Sequence, residues 1–598
     1  MKQIFGFFLR IIISFLLLCS LSSAHKQIGF QGERSLLSQE ALLTPFPMRE
    51  KNEPPIEKLN NNPNAMAILT ADREFIKDGG DVKITAEIIG VETTENDHFT
   101  IQCGPAINSD DILDAVVPSF RNSSYAEVEI HDLTFLRCDY KFSYIIDDRR
   151  LHGKNVKGTK FVLGEIVVPS EQAPTTPKQP HLVYTGIPSK MRVMYVSSSD
   201  FPSPSVKYWK SNESEDTAVV AIGTSATYSH TDLCEDSANQ VAQNLFRDPG
   251  FTHTIQMDEL IPNMRYSYRV GNDEHGWSNA INFQAAPDTR RTVRFVGFGD
   301  QSFSRAGQNT SYYVKKEIEE NGSEFTLHFG DLGYALGKGW VWDRWGSMVS
   351  PGAAIAPYMV TVGNHELDHV EGNDPSGEVP FNPWWWNNGR HASNGECGVP
   401  TFVRWGSAIP NDNHGGGGNK MWYSFDWGNV HVIMMDSEHD WQSGSNQLIW
   451  MDKDLANVNR SRTPWVVVTS HRPIYTTQMC ELGDYVVSRF MRQALDPLFE
   501  KYKVNLALVA HTHAYERTCL IKSGDCVERG GTQHITIGSA GAGLEGCGDS
   551  PIFGPFSKVG TNQWGYLRVE ASEERMKLEF VLDKDGSVWD SYEVLPWE

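Results

Sequence analysis

Seven short apolar runs follow Arg291: Thr292 to Phe298, Phe325 to Phe329, Tyr358 to Val362, Val430 to Met435, Trp465 to Thr469, Val504 to Val509 and His534 to Ile537. Continuous apolar runs of this length read as strands buried on both faces. Helical patterns separate them. Between the fifth and sixth runs, Val487, Phe490, Ala494 and Leu498 mark one face of a helix. Strand, helix, strand repetition predicts an α/β domain over residues 291–598, a layered β-α-β-α sandwich with covered sheet faces.

The residues that end those strands carry the chemistry. The first strand ends in Gly299-Asp300, the second in Gly330-Asp331-Leu332-Gly333-Tyr334 and the third in Gly363-Asn364-His365-Glu366. The Trp465 run leads into Ser470-His471, and the Val504 run into Ala510-His511-Thr512-His513. Ligands of layered α/β folds gather beyond the carboxyl ends of the strands, so five such loops predict one shared site. The donors sort by chemistry. Asp300, Asp331 and Tyr334 offer hard anionic oxygens suited to Fe(III), with His513 adding an imidazole, whereas Asn364, His471 and His511 are neutral donors for Zn, Mn or Fe(II). Asp331 has two oxygens and can bridge both ions. A glycine just before a donor lets backbone approach without a Cβ clash.

The ordered set GD-x-S, GD-x-x-Y, GNHE, V-x-x-H and AH-x-H resembles that of the purple acid phosphatases, within the binuclear metallophosphoesterases. Gly395 to Pro400, Tyr423 to Asp426, Tyr515 to Cys519 and Asn562 to Tyr566 are also similar to that family, and the resemblance covers about residues 181–598. It implies a secreted acid phosphatase that hydrolyses phosphoric monoesters with an Fe(III)–M(II) pair and a metal-bound hydroxide as nucleophile. Asn364 and His365 are expected at the substrate; His365, beside a donor, reads as contacting phosphate or protonating the leaving oxygen, the alternative being mere support of the ligand next to it, with Glu366 orienting it through a hydrogen bond. Two positions and one short stretch depart from the family pattern. Ser302 and Ala510 stand where the family has glycine, and Cys480-Glu481 fill a stretch where relatives often carry substrate-facing histidines.

Upstream, residues 1–24 read as a secretory signal: Lys2 and Arg10, an apolar Ile11–Leu18 run and a small Ser22-Ser23-Ala24 site. Residues 25–65 form a polar, proline-broken leader. Residues 66–170 alternate with period two in Val82 to Ile88, Tyr125 to Ile130 and Phe142 to Ile146, which predicts a β-sandwich. Pro169 to Pro180 reads as a linker. A second β-domain follows over 181–287. Its Leu260-Ile261-Pro262-Asn263-Met264-Arg265-Tyr266 resembles the fibronectin type III stretch whose tyrosine hydroxyl bonds back to upstream backbone.

The 53 basic against 75 acidic residues give a net charge of −22, which disfavours nucleic acid and anionic membranes as partners. Small phosphate esters are the expected partners, with no membrane contact after signal cleavage, and a homodimer is left open. Eight of the nine cysteines remain once Cys19 leaves with the signal, an even count that suggests disulfides. Proximity in sequence suggests Cys103/Cys138 and Cys519/Cys526 as local pairings, while Cys234, Cys397, Cys480 and Cys547 are unassigned. Asn122, Asn212, Asn309, Asn321 and Asn459 begin N-x-S/T tripeptides, in keeping with a secreted glycoprotein, with cell surface or vacuole as alternatives.

Blander roles suit other residues. His328 and His431, inside apolar strands, read as core. Trp384 to Trp386 read as a loop anchored on the core or a rim over the site, and His391 and His414 as exposed loop histidines. Gly415 to Gly418 lack the Lys-Ser/Thr of a phosphate-binding loop. Two rivals to a monoesterase stay in view: a phosphodiesterase or nucleotide pyrophosphatase on the same metals, and an extracellular binding protein with a vestigial site.

Overall fold

The computed structural model describes residues 56–58 and 65–597, apart from 92, 94–96, 104–111, 117–118, 123, 135–136, 148–159, 199, 201–202, 235–245, 370–373, 379–380, 384, 387–390, 407–420, 480–481 and 546–553. The signal and most of the leader lie outside the described residues, as do Trp384, His414, Gly415 to Gly418, Cys480, Glu481 and Cys547. Among the described residues, no helix is long and apolar enough to cross a membrane.

The first domain is a sandwich of two sheets. One runs in the order Met66–Ala71, Gly80–Ile89, Tyr125–Leu133, Ser119–Asn122; the other runs Ile56–Lys58, Lys160–Val168, Tyr140–Asp147, His98–Cys103, Ile112–Val116. Period two explains the packing. Val82, Ile84, Ala86 and Ile88 point inward, and they share a separate core with Phe99, Phe142 and Tyr144. Cys138 is disulfide-bonded.

The second sandwich begins at strand Lys178–Tyr184, within the stretch read as a linker. That strand pairs with Met191–Ser197, then Phe251–Met257 and Thr224–Ala226, while Val219–Ile222, Ser205–Lys210, Arg265–Asn272, Gly276–Trp277 and Ile281–Gln284 form the facing sheet, the last two both on Arg265–Asn272. The Tyr266 hydroxyl accepts the Ile261 N–H at 3.0 Å, upstream backbone five residues back. This domain does not close its core alone: Tyr184 meets Phe425 and Trp427 edge-on, at 5.8 and 5.0 Å, and one apolar cluster runs on into the next domain.

That third domain holds two sheets back to back. The first runs Tyr358–Thr361, Thr326–Phe329, Val293–Phe298, Gly565–Ala571, Met576–Leu582, Val588–Val594, its first three strands parallel and the rest an antiparallel meander. The second has Val430–Met434, Trp465–Ser470, Leu506–Val509 and Thr532–Ile537 as its parallel centre. Alternation along Trp465–Ser470 separates the layers. Val467 faces the core between the sheets, while Val466 and Val468 meet helices Asn446–Asn457 and Leu482–Tyr502. On the latter helix Val487, Met491, Leu495 and Phe499 are the buried stripe, and Phe490, Ala494 and Leu498 flank it. Helices Arg305–Asn321 and Gly339–Ala353 cover the first sheet. The former starts on a Ser304 cap, whose Oγ accepts the Gly307 N–H at 3.1 Å, and ends at Gly322 in the left-handed region.

Three domains meet on one carboxylate. Arg137, from the first sandwich, donates to both Asp343 oxygens at 2.9 and 3.0 Å. Arg247 and Arg404 reach the same group at 2.9 and 3.2 Å. Burial raises the Asp343 carboxyl's cost of ionising, but the three guanidinium charges outweigh that and hold its pKa below the usual carboxylate value. Cys234 and Cys397, left unassigned in the sequence, form a disulfide across 163 residues, and Cys519–Cys526 is the second described pair.

Candidate metal centre

All five donor loops open at the same end of the two sheets, and their side chains converge. Tyr334 Oη lies 2.9 Å from Asp300 Oδ1 and 2.9 Å from His513 Nε2, and His513 Nε2 lies 3.3 Å from Asp300 Oδ1. On the other side, His471 Nε2 is 2.9 Å from Asn364 Oδ1, 3.4 Å from Asp331 Oδ1 and 3.2 Å from His511 Nδ1. Two overlapping groups result, Asp300–Asp331–His513 and Asp331–His471–His511, with the donor atoms of each inside 4.8 Å. Asp331 belongs to both.

The backbone is bent to make this possible. Asp300, Ser302, Asp331, Tyr334 and His511 all adopt left-handed φ, between 51° and 67°. Non-glycine residues rarely sit there, and such strain concentrates at functional sites. Ser302, at φ 58°, therefore holds the conformation that a glycine would take without cost. Its Oγ accepts the Ser304 N–H at 3.2 Å. Gly330 and Gly363 are required by crowding: a Cβ on Gly330 would stand 2.7 Å from the His471 ring, and one on Gly363 would collide with Asp331 Oδ1. Ala510, in place of the family's glycine, is fully buried against Gly299.

Glu366 does not orient His365. Its carboxylate accepts the N–H groups of Asp331, Leu332 and Gly363 at 2.8, 2.8 and 3.0 Å, and so pins two donor loops together. Side chains one apart on a helical turn point in different directions, which is why adjacency misleads here. The His365 ring is held by Ala392 O, 3.0 Å from Nδ1. Its Nε2 stays 3.8 Å from Asp331 Oδ2 on a side chain 27% exposed, whereas the His471 side chain is fully buried.

The electrostatics ask for cations. Burial first, then the charges of Asp300 and Glu366, push the Asp331 carboxyl well above its usual range. Burial and the same carboxylates drive the Tyr334 phenol up as well. Burial drives His471 well below its ordinary value and takes His365 down to about 4. Burial would also lower His513, but the bond and charge of Asp300 outweigh it and lift that imidazole to about 9. Buried carboxylates crowded this way are costly without a counter-charge, and a metal ion inverts that balance. The hard oxygens plus imidazoles fit a pair of such ions.

Several participants carried no sequence signal. Arg472, next to His471, is buried over the Trp386 ring at 4.4 Å and clamped by Glu438 at 2.9–3.0 Å. Asp484 reaches His511 Nε2 at 3.1 Å. Trp385 and Trp386 are anchored in the core around Trp441. His328 is buried and shares a 2.8 Å hydrogen bond with Tyr358. His431 is not merely packed: its two nitrogens meet Asp426 and Asp454 at 2.7 and 2.8 Å. His391 is exposed.

This arrangement defines a metallophosphoesterase fold, and residues 301–515 match the family model for calcineurin-like phosphoesterases. Flanking segments sharpen that class. Residues 177–285 match the purple acid phosphatase N-terminal domain, and 531–591 match the iron/zinc purple acid phosphatase-like protein C model. The chain belongs to the purple acid phosphatase family: it is 33% identical over 510 residues to Probable inactive purple acid phosphatase 9 of Arabidopsis thaliana, covering 77% of this chain and 75% of that one. A nucleotide pyrophosphatase/phosphodiesterase of Hordeum vulgare is 26% identical, over 53% of this chain and 88% of its own. The purple acid phosphatase PPD1 structure from yellow lupin (Lupinus luteus) seeds superposes with a TM-score of 0.74 at 24% identity, covering 88% of this chain and 96% of that one, and so shares the fold. The family implies a binuclear metal centre.

Proposed function

We propose that this chain hydrolyses phosphoric monoesters in acid, on Fe(III) held by Asp300, Asp331, Tyr334 and His513 beside Zn, Mn or Fe(II) held by Asp331, Asn364, His471 and His511. The observation that carries the reading is the convergence of all seven donors on overlapping groups that share Asp331. Bound cations would polarise the phosphoryl oxygens and acidify water there. The chain's own residues supply the rest. Because Ala392 O takes the Nδ1 proton, His365 presents Nε2 on the Asp331 side, 3.8 Å from Oδ2; an anionic phosphate beside the ring would favour its imidazolium form, whose Nε2–H can bond phosphate and pass to the leaving oxygen. Glu366 keeps two donor loops in register, which preserves the spacing that an in-line displacement needs. The signal-like residues 1–24 and the N-x-S/T tripeptides support secretion.

Two other readings follow from the relatives' names. The barley protein's name supports diester or pyrophosphate cleavage, and the Arabidopsis protein's name supports an inactive site. The retained donors weigh against inactivity. An aryl phosphate monoester, an aryl diester and an Asp331→Asn control, assayed at about pH 5, separate the three. Monoester turnover lost in the control is the expected result. Diester turnover alone makes the chain a phosphodiesterase, and no turnover by folded, metal-loaded protein makes the site vestigial.

A further inference from the structure

We propose that Asp484 selects the metal-binding tautomer of His511, and thereby sets the affinity of the second cation position; this rests on the two-metal reading above. Each of the other cluster histidines turns its Nδ1 to a backbone carbonyl: His471 to Phe329 O at 3.2 Å, His513 to Gly543 O at 2.5 Å. A carbonyl only accepts, so those Nδ1 atoms carry a proton and Nε2 is the nitrogen left for a cation.

His511 is reversed. Its Nδ1 points inward, 3.2 Å from His471 Nε2, and its Nε2 points outward to two neighbours with opposite demands. Arg472 Nη1, at 3.4 Å, can only donate; if it won, Nε2 would accept and the proton would sit on Nδ1, aimed into the cluster. Asp484 Oδ1, at 3.1 Å, can only accept, so it puts the proton on Nε2 and frees the Nδ1 lone pair for a cation.

Two features decide the contest for Asp484. Arg472 gives its Nε and Nη2 to Glu438 and lies over Trp386, and its Nη1 stands farther from His511 Nε2 than Asp484 Oδ1 does, at 3.4 against 3.1 Å. Asp484 lies in the first turn of helix Leu482–Tyr502, which holds its carboxylate beside His511. Asp484 also draws on Arg472, whose Nη1 is 3.8 Å away, so the carboxylate is held between the guanidinium and the imidazole. It is a positioning residue: it acts on the ion only through His511.

The test loads the full chain with one equivalent of Fe(III) and titrates it with Zn2+, for wild type, Asp484→Ala and Asp484→Asn. Retained iron and the apo-protein unfolding midpoint are the controls. Asp484→Ala should weaken Zn2+ binding by about 10–100-fold with iron retention and apo stability close to wild type. Asp484→Asn should fall between, because its amide oxygen still accepts from Nε2–H. Unchanged Zn2+ affinity in Asp484→Ala overturns this inference alone, as does equal loss of iron and zinc or a collapsed apo midpoint in both variants. Wild-type protein that takes up neither ion overturns the two-metal reading and this inference with it.

Discussion

No space separates Gly299 from the methyl group of Ala510: a Cβ added at Gly299 would overlap the Ala510 Cβ, while its other neighbours stay at 3.3 Å or beyond. Gly299 precedes the donor Asp300, and Ala510 precedes the donor His511. The two loops therefore close on each other with one methyl group between them. Gly299→Ala should destabilise the fold by about 1–3 kcal/mol through overpacking. Adding Ala510→Gly should restore most of that loss. Denaturant midpoints of the two single variants and the double would show it, as a coupling between adjacent sites; strict additivity would contradict the packing.

Glu366 offers three lone-pair contacts to N–H groups, and glutamine can offer only one oxygen. Glu366→Gln should turn an amide N–H toward a backbone donor, costing about 1–3 kcal/mol for the unsatisfied group. Because the pinned loops carry Asp331 and Asn364, metal uptake should fall together with stability. Metal analysis and thermal unfolding of the same preparation check both. Loss of activity with unchanged metal content would instead place Glu366 in the chemistry.

At the junction of domains, the single carboxylate matters more than any one arginine. Arg137→Met leaves Asp343 with Arg247 and Arg404, whereas Asp343→Asn leaves three close guanidinium groups without their shared counter-charge. Breaking a buried pair this way costs about 3–5 kcal/mol. Asp343→Asn should therefore unfold at markedly lower temperature than Arg137→Met. Arg137→Met should chiefly speed proteolysis between the first two sandwiches.

The buried His431 supplies a pH signature. Burial would lower its pKa, but the hydrogen bonds and charges of Asp426 and Asp454 outweigh burial and raise it from 6.5 to about 9. A raised imidazole stabilises the fold fully below the unfolded pKa and loses that contribution as pH climbs through the folded one. The stability advantage of wild type over His431→Gln should thus be largest below about pH 6.5 and shrink towards pH 9, by on the order of 2–3 kcal/mol. Urea unfolding at several pH values measures it; a gap that widens with pH would contradict the ion triad.

What the chain discloses in advance is local. Strand ends followed at once by Asp300, Asp331, Asn364, His471 and His511 announce a site because donor and strand share a few residues of sequence. Contacts between distant loops leave no such mark. Asp484 meets His511 from a helix whose pattern speaks only of its buried face, and Cys234 finds Cys397 across 163 residues. Glu366 shows the opposite trap, where adjacency to His365 suggests a bond that the helical turn forbids. Strand Gly565–Ala571 has a plain period-two pattern, with Leu567, Val569 and Ala571 buried. Nothing in that pattern names Val293–Phe298 as its neighbour.

That last pairing has a consequence for how the protein is made. Strand Val293–Phe298 leaves the ribosome about 270 residues before Gly565–Ala571 does, an interval of roughly 15–55 s at ordinary synthesis speeds. Throughout it, one side of the strand that carries Asp300 waits as an unpaired edge, the kind that recruits foreign strands. Synthesis that stops short of residue 565 would yield every metal donor, but the three strands that lead to Asp300, Asp331 and Asn364 would form a sheet with that edge still open. Such a product belongs to the chaperones rather than to the catalyst.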